Sequence, residues 1–107
     1  MKRGELWTGV GSGYASKPRP FLIVQDDRFC ESESVSVLPV TSSDIGAPLF
    51  RIPIAATVES GLIADSFIMV DKVTAIRRTA LGGRVGQASR QVMTSVDRSV
   101  ATFLGLA

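Results

Sequence analysis

The sequence predicts a small, mainly β fold of the α+β class, an antiparallel barrel or curled sheet closed by one C-terminal helix. Three observations predict it. Short β-type apolar runs recur at regular spacing, the segments between them are rich in Gly, Ser and Asp, and the hydrophobic period becomes helical only near the end. The runs are "ELWTGV" (5–10), "PFLIVQ" (20–25), "SVSVLPV" (34–40), "FRIPI" (50–54) and "SFIMVDKVTAI" (66–76), with "GGRVGQ" (82–87) as a further short strand. In 34–40 the valines and Leu38 approximate alternation until Pro39, which marks an end, a bulge or an edge because it has no N–H to give to a ladder. From 90 to 104, Val92, Val96, Val100, Phe103 and Leu104 recur at helical spacing. Ser89 is placed to cap that helix and Gly105 to stop it.

At 107 residues the chain reads as one domain, 1–107, with no repeat, low-complexity tract or linker. Hydrophobic content of 45% and a mean hydropathy of +0.24 are those of a chain that buries a core. Twelve Lys and Arg against ten Asp and Glu leave only +2, so a polyanion partner would need local clustering rather than broad attraction. The single cysteine, Cys30, has no internal disulfide partner, which fits a reducing cytoplasm. Gly4 and Glu5 follow the basic start with no apolar stretch, so no signal peptide is read, and no segment approaches the roughly 20 apolar residues of a membrane helix.

Composition also excludes chemistry. With no histidine, a histidine base, a histidine-supported nucleophile and a histidine-ligated zinc are all unavailable, and one cysteine builds no thiolate metal site. No cofactor is implied. "GVGSGYASK" (9–17) is as glycine-dense as a phosphate loop but lacks the spacing and the following helix, so it reads as a hairpin loop. Arginine, carboxylate and hydroxyl chemistry remains, and it suits phosphoryl substrates. In "SKPRPFLIVQDD" (16–27) Pro18 and Pro20 fix their own φ and hold Lys17 and Arg19 extended, a stiff mounting for a guanidinium that must point at something.

"KRGELW", "KPRPFLIVQ", "PVTSS", "GL" at 61–62 and "DKVTAI" at 71–76 occur in this order over almost the whole chain, and so arranged the sequence resembles the MazF/PemK family of toxin endoribonucleases. The resemblance implies an SH3-like barrel of the CcdB/PemK kind with a C-terminal helix, assembled as a homodimer. It further implies metal-independent cleavage of single-stranded RNA by 2′-OH attack, leaving a 2′,3′-cyclic phosphate and a 5′-OH, and neutralisation by a small antitoxin. Two readings from another class stand beside it: a non-catalytic toxin of the same fold, of the gyrase-poison type, and a degenerate member that only binds RNA or antitoxin. The gyrase-poison relatives lack the "RP" and "VTS" pair.

Matched onto these motifs, Arg19 would hold the scissile phosphate with its planar fork. Thr41 would offer its hydroxyl to the phosphate or to the attacking 2′-oxygen. Asp71, which interrupts "FIMV", would act as base or would position the nucleophile near a strand end. The plainer alternatives are a surface arginine bridging a carboxylate, a β-branched residue packing in a strand, and an ion pair of Asp71 with Lys72 or Arg77. Some relatives carry an arginine two places before this aspartate and a histidine in the first loop; here Met69 and no histidine stand instead. The proton donor to the leaving 5′-oxygen is then Arg19 or water. Lys17, Tyr14, Ser42, Ser43 and Lys72 lie close in sequence to the centre as RNA-binding candidates, with Tyr14 placed to stack a base or to cover a strand. Arg77, Arg78 and Arg84 form a modest basic stretch or a solvated face.

Strands as continuous as "FLIV" and "FIMV", together with the helix face, exceed what so small a barrel covers, leaving apolar surface for a second copy. An acidic and apolar antitoxin tail would then compete with RNA for the groove between copies.

Overall fold

The run Phe21-Leu22-Ile23 is buried completely or nearly so, and its two faces feed two different cores. Phe21 and Ile23 join Val35, Val37 and Ile76 in one cluster. Leu22 points the other way, into a cluster with Leu6, Leu38, Val40, Ile68 and the helix residue Val96. A strand apolar on both faces has to be covered on both, which the sheet achieves by curling around it. The computed structural model describes residues 1–10, 17–44, 46 and 49–106.

The described elements are β1 (Glu5–Gly9), β2 (Arg19–Ile23), β3 (Ser34–Thr41), β4 (Arg51–Ile54), β5 (Ser66–Met69), β6 (Thr74–Arg77), β7 (Leu81–Gln87) and the helix α1 (Arg90–Phe103). The strands form one antiparallel sheet in the order β4-β5-β3-β2-β1-β7, with β6 also paired to β3. This is the mainly β architecture with a terminal helix that the sequence predicts. Ser89 caps α1 by accepting the Val92 N–H at 3.1 Å, and Gly105, at φ +75°, follows the helix end as expected. Among the described residues no helix is long and apolar enough to cross a membrane.

The run expected as one strand over 66–76 is two. Along the same edge of β3, Val40 faces Ile68 of β5 while Val37 faces Thr74 of β6, so an advance of three residues on β3 matches six on the opposing segment. The excess is taken up by a 3₁₀ turn, Val70–Lys72. Pro39 lies in the interval where β3 changes partner, which is where a residue without an N–H does least harm to the ladder. Asp71 therefore sits between strands, outside the regular pleat, as its interruption of the apolar run implied.

The surplus apolar surface is present at the helix end, as Phe103 and Leu104, but not on the continuous strands. Phe21 to Ile23 and Ile68 to Val70 are all buried. The exposed large apolar residues are instead Leu49, Phe50, Val58, Ile63, Phe103, Leu104 and Leu106, with Val10 and Phe29. Continuous strands were absorbed by the curl, whereas loop and helix-end residues have nothing above them.

Candidate functional site

The β2–β3 register brings the two most specific sequence motifs together. Phe21 faces Pro39, Leu22 faces Leu38 and Ile23 faces Val37. Beyond that ladder Arg19, at the entry of β2, and Thr41, at the exit of β3, lie at the same end of the two strands. On its other side Arg19 faces Gly9 of β1.

Both residues line one groove of about 620 Å³. One wall is polar and cationic: Lys17, Arg19, Thr41 and Ser42, with Thr8 beside them. The other is apolar: Leu62, Ile63 and Ala64 from the β4–β5 loop, and Val85 from β7. The Thr41 Oγ1 accepts the Ser43 backbone N–H at 3.1 Å. That bond fixes the oxygen and leaves the hydroxyl hydrogen to be donated into the groove. Ser43 thus acts on Thr41 through its backbone and is itself outside the groove lining.

Asp71 and Lys72 are not brought to this groove. They occupy the 3₁₀ turn beyond the far end of β5, while Thr41 faces Phe67 near its start. Asp71 meets Arg51, a residue the sequence reading passed over. Arg51 Nε lies 3.1 Å from Asp71 Oδ1, and Nη2 donates to Oδ2 at 3.3 Å. Arg51 is only 7% exposed, so the carboxylate compensates a charge that has left water. The partners expected for Asp71 as a plain ion pair, Lys72 and Arg77, are both exposed, and the pair forms with neither. Among the described lining residues of the groove there is no carboxylate. Tyr14 lies outside the described residues.

The basic stretch after β6 is divided among structural tasks. Arg78 donates to the carbonyls of Ser32, at 2.7 and 3.0 Å, and of Cys30, tying the 30–32 turn to the end of β6. Arg84 lies 3.0 Å from Glu5. Burial works to raise the Glu5 carboxyl, but bonds from the Lys2 N–H, the Trp7 indole and Arg84 outweigh it and hold its pKa below the ordinary value.

The apolar wall gave little signal in the sequence beyond "GL" at 61–62. Its rigidity comes from Ser60, 3% exposed, whose Oγ donates to the Ala55 carbonyl at 2.8 Å and accepts from the Thr57 N–H at 3.0 Å. Gly61, at φ +69°, passes against the Val85 carbonyl, and Gly86 passes against the carbonyls of Glu59 and Ser60; a methyl group at either glycine would collide with that backbone.

Residues 2–104 match the family model described as PemK-like, MazF-like toxin of type II toxin-antitoxin system. The chain is 47% identical over 108 residues to a probable endoribonuclease MazF of Mycolicibacterium smegmatis, covering 100% of this chain and 99% of that one. Among solved structures it resembles the Mycobacterium tuberculosis toxin MazF-mt6, with a TM-score of 0.83 at 20% identity over 96% of this chain and 98% of that one. It also resembles a mycobacterial endoribonuclease in complex with its cognate antitoxin, with a TM-score of 0.81 at 21% identity over 100% and 97%.

Proposed function

The chain belongs to the PemK-like, MazF-like toxin family of type II toxin-antitoxin systems, and from that premise we propose that it is an endoribonuclease whose reaction centre is the Arg19–Thr41 end of the groove. The observation that carries this is that Arg19, at the entry of β2, and Thr41, at the exit of β3, line one groove together with Lys17 and Ser42.

The substrate is single-stranded RNA, whose unpaired bases can splay from the backbone. The 2′-oxygen attacks the adjacent phosphorus in line as its proton passes to water or to Asp71 of a second copy. The bond from phosphorus to the 5′-oxygen breaks, and that oxygen takes a proton from water or from Arg19. The products are a 2′,3′-cyclic phosphate and a 5′-hydroxyl. Arg19 pairs its fork with the non-bridging oxygens, where negative charge grows in the transition state. Thr41 donates its hydroxyl hydrogen to the same phosphate, and Lys17 and Ser42 hold the strand on the cationic wall. Asp71 takes part as base only through a second copy of the chain, since it does not line the groove of its own. A homodimer is therefore part of the proposal, and the exposed Leu49, Phe50 and Phe103 are apolar surface of the kind a second copy covers.

We place the protein in the cytoplasm and read 1–107 as one toxin domain. Its inhibitor is a cognate antitoxin, as in the complex found for a structural relative. With no histidine and one cysteine in the chain, cleavage is expected to persist in excess EDTA. The test is an oligoribonucleotide with a single 2′-deoxy residue at the cut. It should be inert where the all-ribose strand is cut, and efficient cutting of that analogue removes the mechanism. A folded protein that binds the all-ribose strand and never cuts it would instead favour a binding toxin.

A further inference from the structure

Ile63 is fully exposed, at 102% of its reference area, yet it stands on one of the most firmly tied loops of the molecule. The ties lie on both sides of it. Asp65 Oδ1 accepts the Ala56 N–H at 2.8 Å, Thr57 Oγ1 accepts the Ser60 N–H at 3.0 Å, and the Thr57 carbonyl accepts the Gly61 N–H at 2.9 Å. The Glu59 carbonyl takes the Gln87 N–H at 2.9 Å, and the close backbone approach at Gly61 and Gly86 docks the loop on β7. A loop kept only as a connection needs no such fixing, and a β-branched residue at its tip is stiff in χ1 as well. The result is an apolar side chain presented to solvent in a set position, where its hydration is unfavourable until something covers it.

The occupant follows from the opposite wall. Lys17, Arg19 and Thr41 line the same groove as Leu62, Ile63 and Val85. A ligand filling it presents an anion to one side and an apolar surface to the other, with phosphate and base as the two halves of an unpaired nucleotide. The volume, about 620 Å³, is within the range of about 300–1,000 Å³ typical of small-molecule sites. We propose that Ile63, backed by Leu62 and Val85, is a substrate-binding residue that packs against one nucleobase adjoining the cut. This rests on the ribonuclease reading above. Because the contact is apolar and preformed, it adds affinity without an ordering cost on the protein side and requires that a base be present.

The experiment is a protein–ligand coupling cycle with an uncleavable probe, a short RNA carrying 2′-deoxy at the cut site. Positions flanking the cut are replaced one at a time by an abasic residue, and affinity is measured for the wild-type protein and for Ile63→Ala. One abasic position should weaken wild-type binding by about five- to ten-fold, less than the full burial of such a side chain is worth because a base covers one face of it. Ile63→Ala should weaken binding of the intact probe by a similar factor and should lose sensitivity at that one position while keeping it elsewhere. Complete exposure of Ile63 means the variant keeps the wild-type unfolding temperature. Unchanged affinity of Ile63→Ala, or equal abasic penalties in both proteins, overturns the inference. Unchanged RNA affinity with a weakened dimer assigns the wall to a second copy and overturns it too. Cleavage of the all-ribose strand by the wild-type protein is scored separately, so a failed ribonuclease reading is distinguished from a failed role for Ile63.

Discussion

The two ends of the β3–β5 pair use the same kind of residue for opposite purposes. At one end Arg19 enters β2 between two prolines, half-buried, on the wall of an open groove with Lys17 and Thr41. At the other, Arg51 opens β4, buried and held against Asp71. A guanidinium held in the interior against a carboxylate is out of reach of solvent, whereas one on the wall of an open groove is reached by an incoming phosphate. Residue type alone does not separate the two; burial and what lies in front of the side chain do.

Replacing Arg19 with Ala should lower the cleavage rate by roughly two to four orders of magnitude, the scale of losing a donor to transition-state charge, with little change in stability. Arg19→Lys should recover part of the rate, because a point charge lacks the two-pronged geometry. Asp71→Ala should act the other way. It leaves Arg51 buried without its carboxylate and should cost on the order of 2–3 kcal/mol in urea unfolding, below the full buried-pair value because Asp71 is partly exposed. The comparison sharpens with the double variant Arg51→Met, Asp71→Leu, which removes both charges and should recover most of that stability. Cleavage measured on that folded variant then reports any part Asp71 plays through a second copy. Ser60→Ala, at the knot under the apolar wall, should cost about 1–2 kcal/mol, since the N–H and carbonyl groups of residues 55–62 lose a shared partner.

The smallest effect concerns Glu5, which lies in neither region. Its pKa is depressed in the folded protein, so its contribution to stability is fully present above the ordinary value of 4.5 and is lost as pH falls through the lower folded value. Glu5→Gln should flatten the acid side of the stability curve by a few tenths of a kcal/mol, with no effect on cleavage at neutral pH.

What could be read in the sequence follows the same division. The strands and the helix with its Ser89 cap were legible because local period and capping chemistry define them, whereas Arg19 and Thr41 were picked out by the resemblance to the family, with the prolines flanking Arg19 in support. Asp71 was read as near a strand end or facing away from the core, but its partner was invisible: Arg51 and Asp71 are 20 residues apart and meet only because β4 and β5 pair. The break at Val70–Lys72 was missed because apolar character runs through it, and only the change of partner along β3 requires it. The apolar wall was missed for a related reason. Leu62, Ile63 and Val85 carry no catalytic chemistry, and what makes them a wall is backbone contact between a loop and a distant strand.

The most direct test of the division between the two ends measures rate and stability on the same pair of proteins. Single-turnover cleavage of one single-stranded RNA in EDTA, with urea unfolding alongside, is applied to Arg19→Ala and to the Arg51→Met, Asp71→Leu variant. The account expects Arg19→Ala to unfold like the wild type and to cut at least a hundred-fold more slowly, and the charge-free pair to unfold within about 1 kcal/mol of the wild type. A folded Arg19→Ala protein that cuts RNA at the wild-type rate would contradict it.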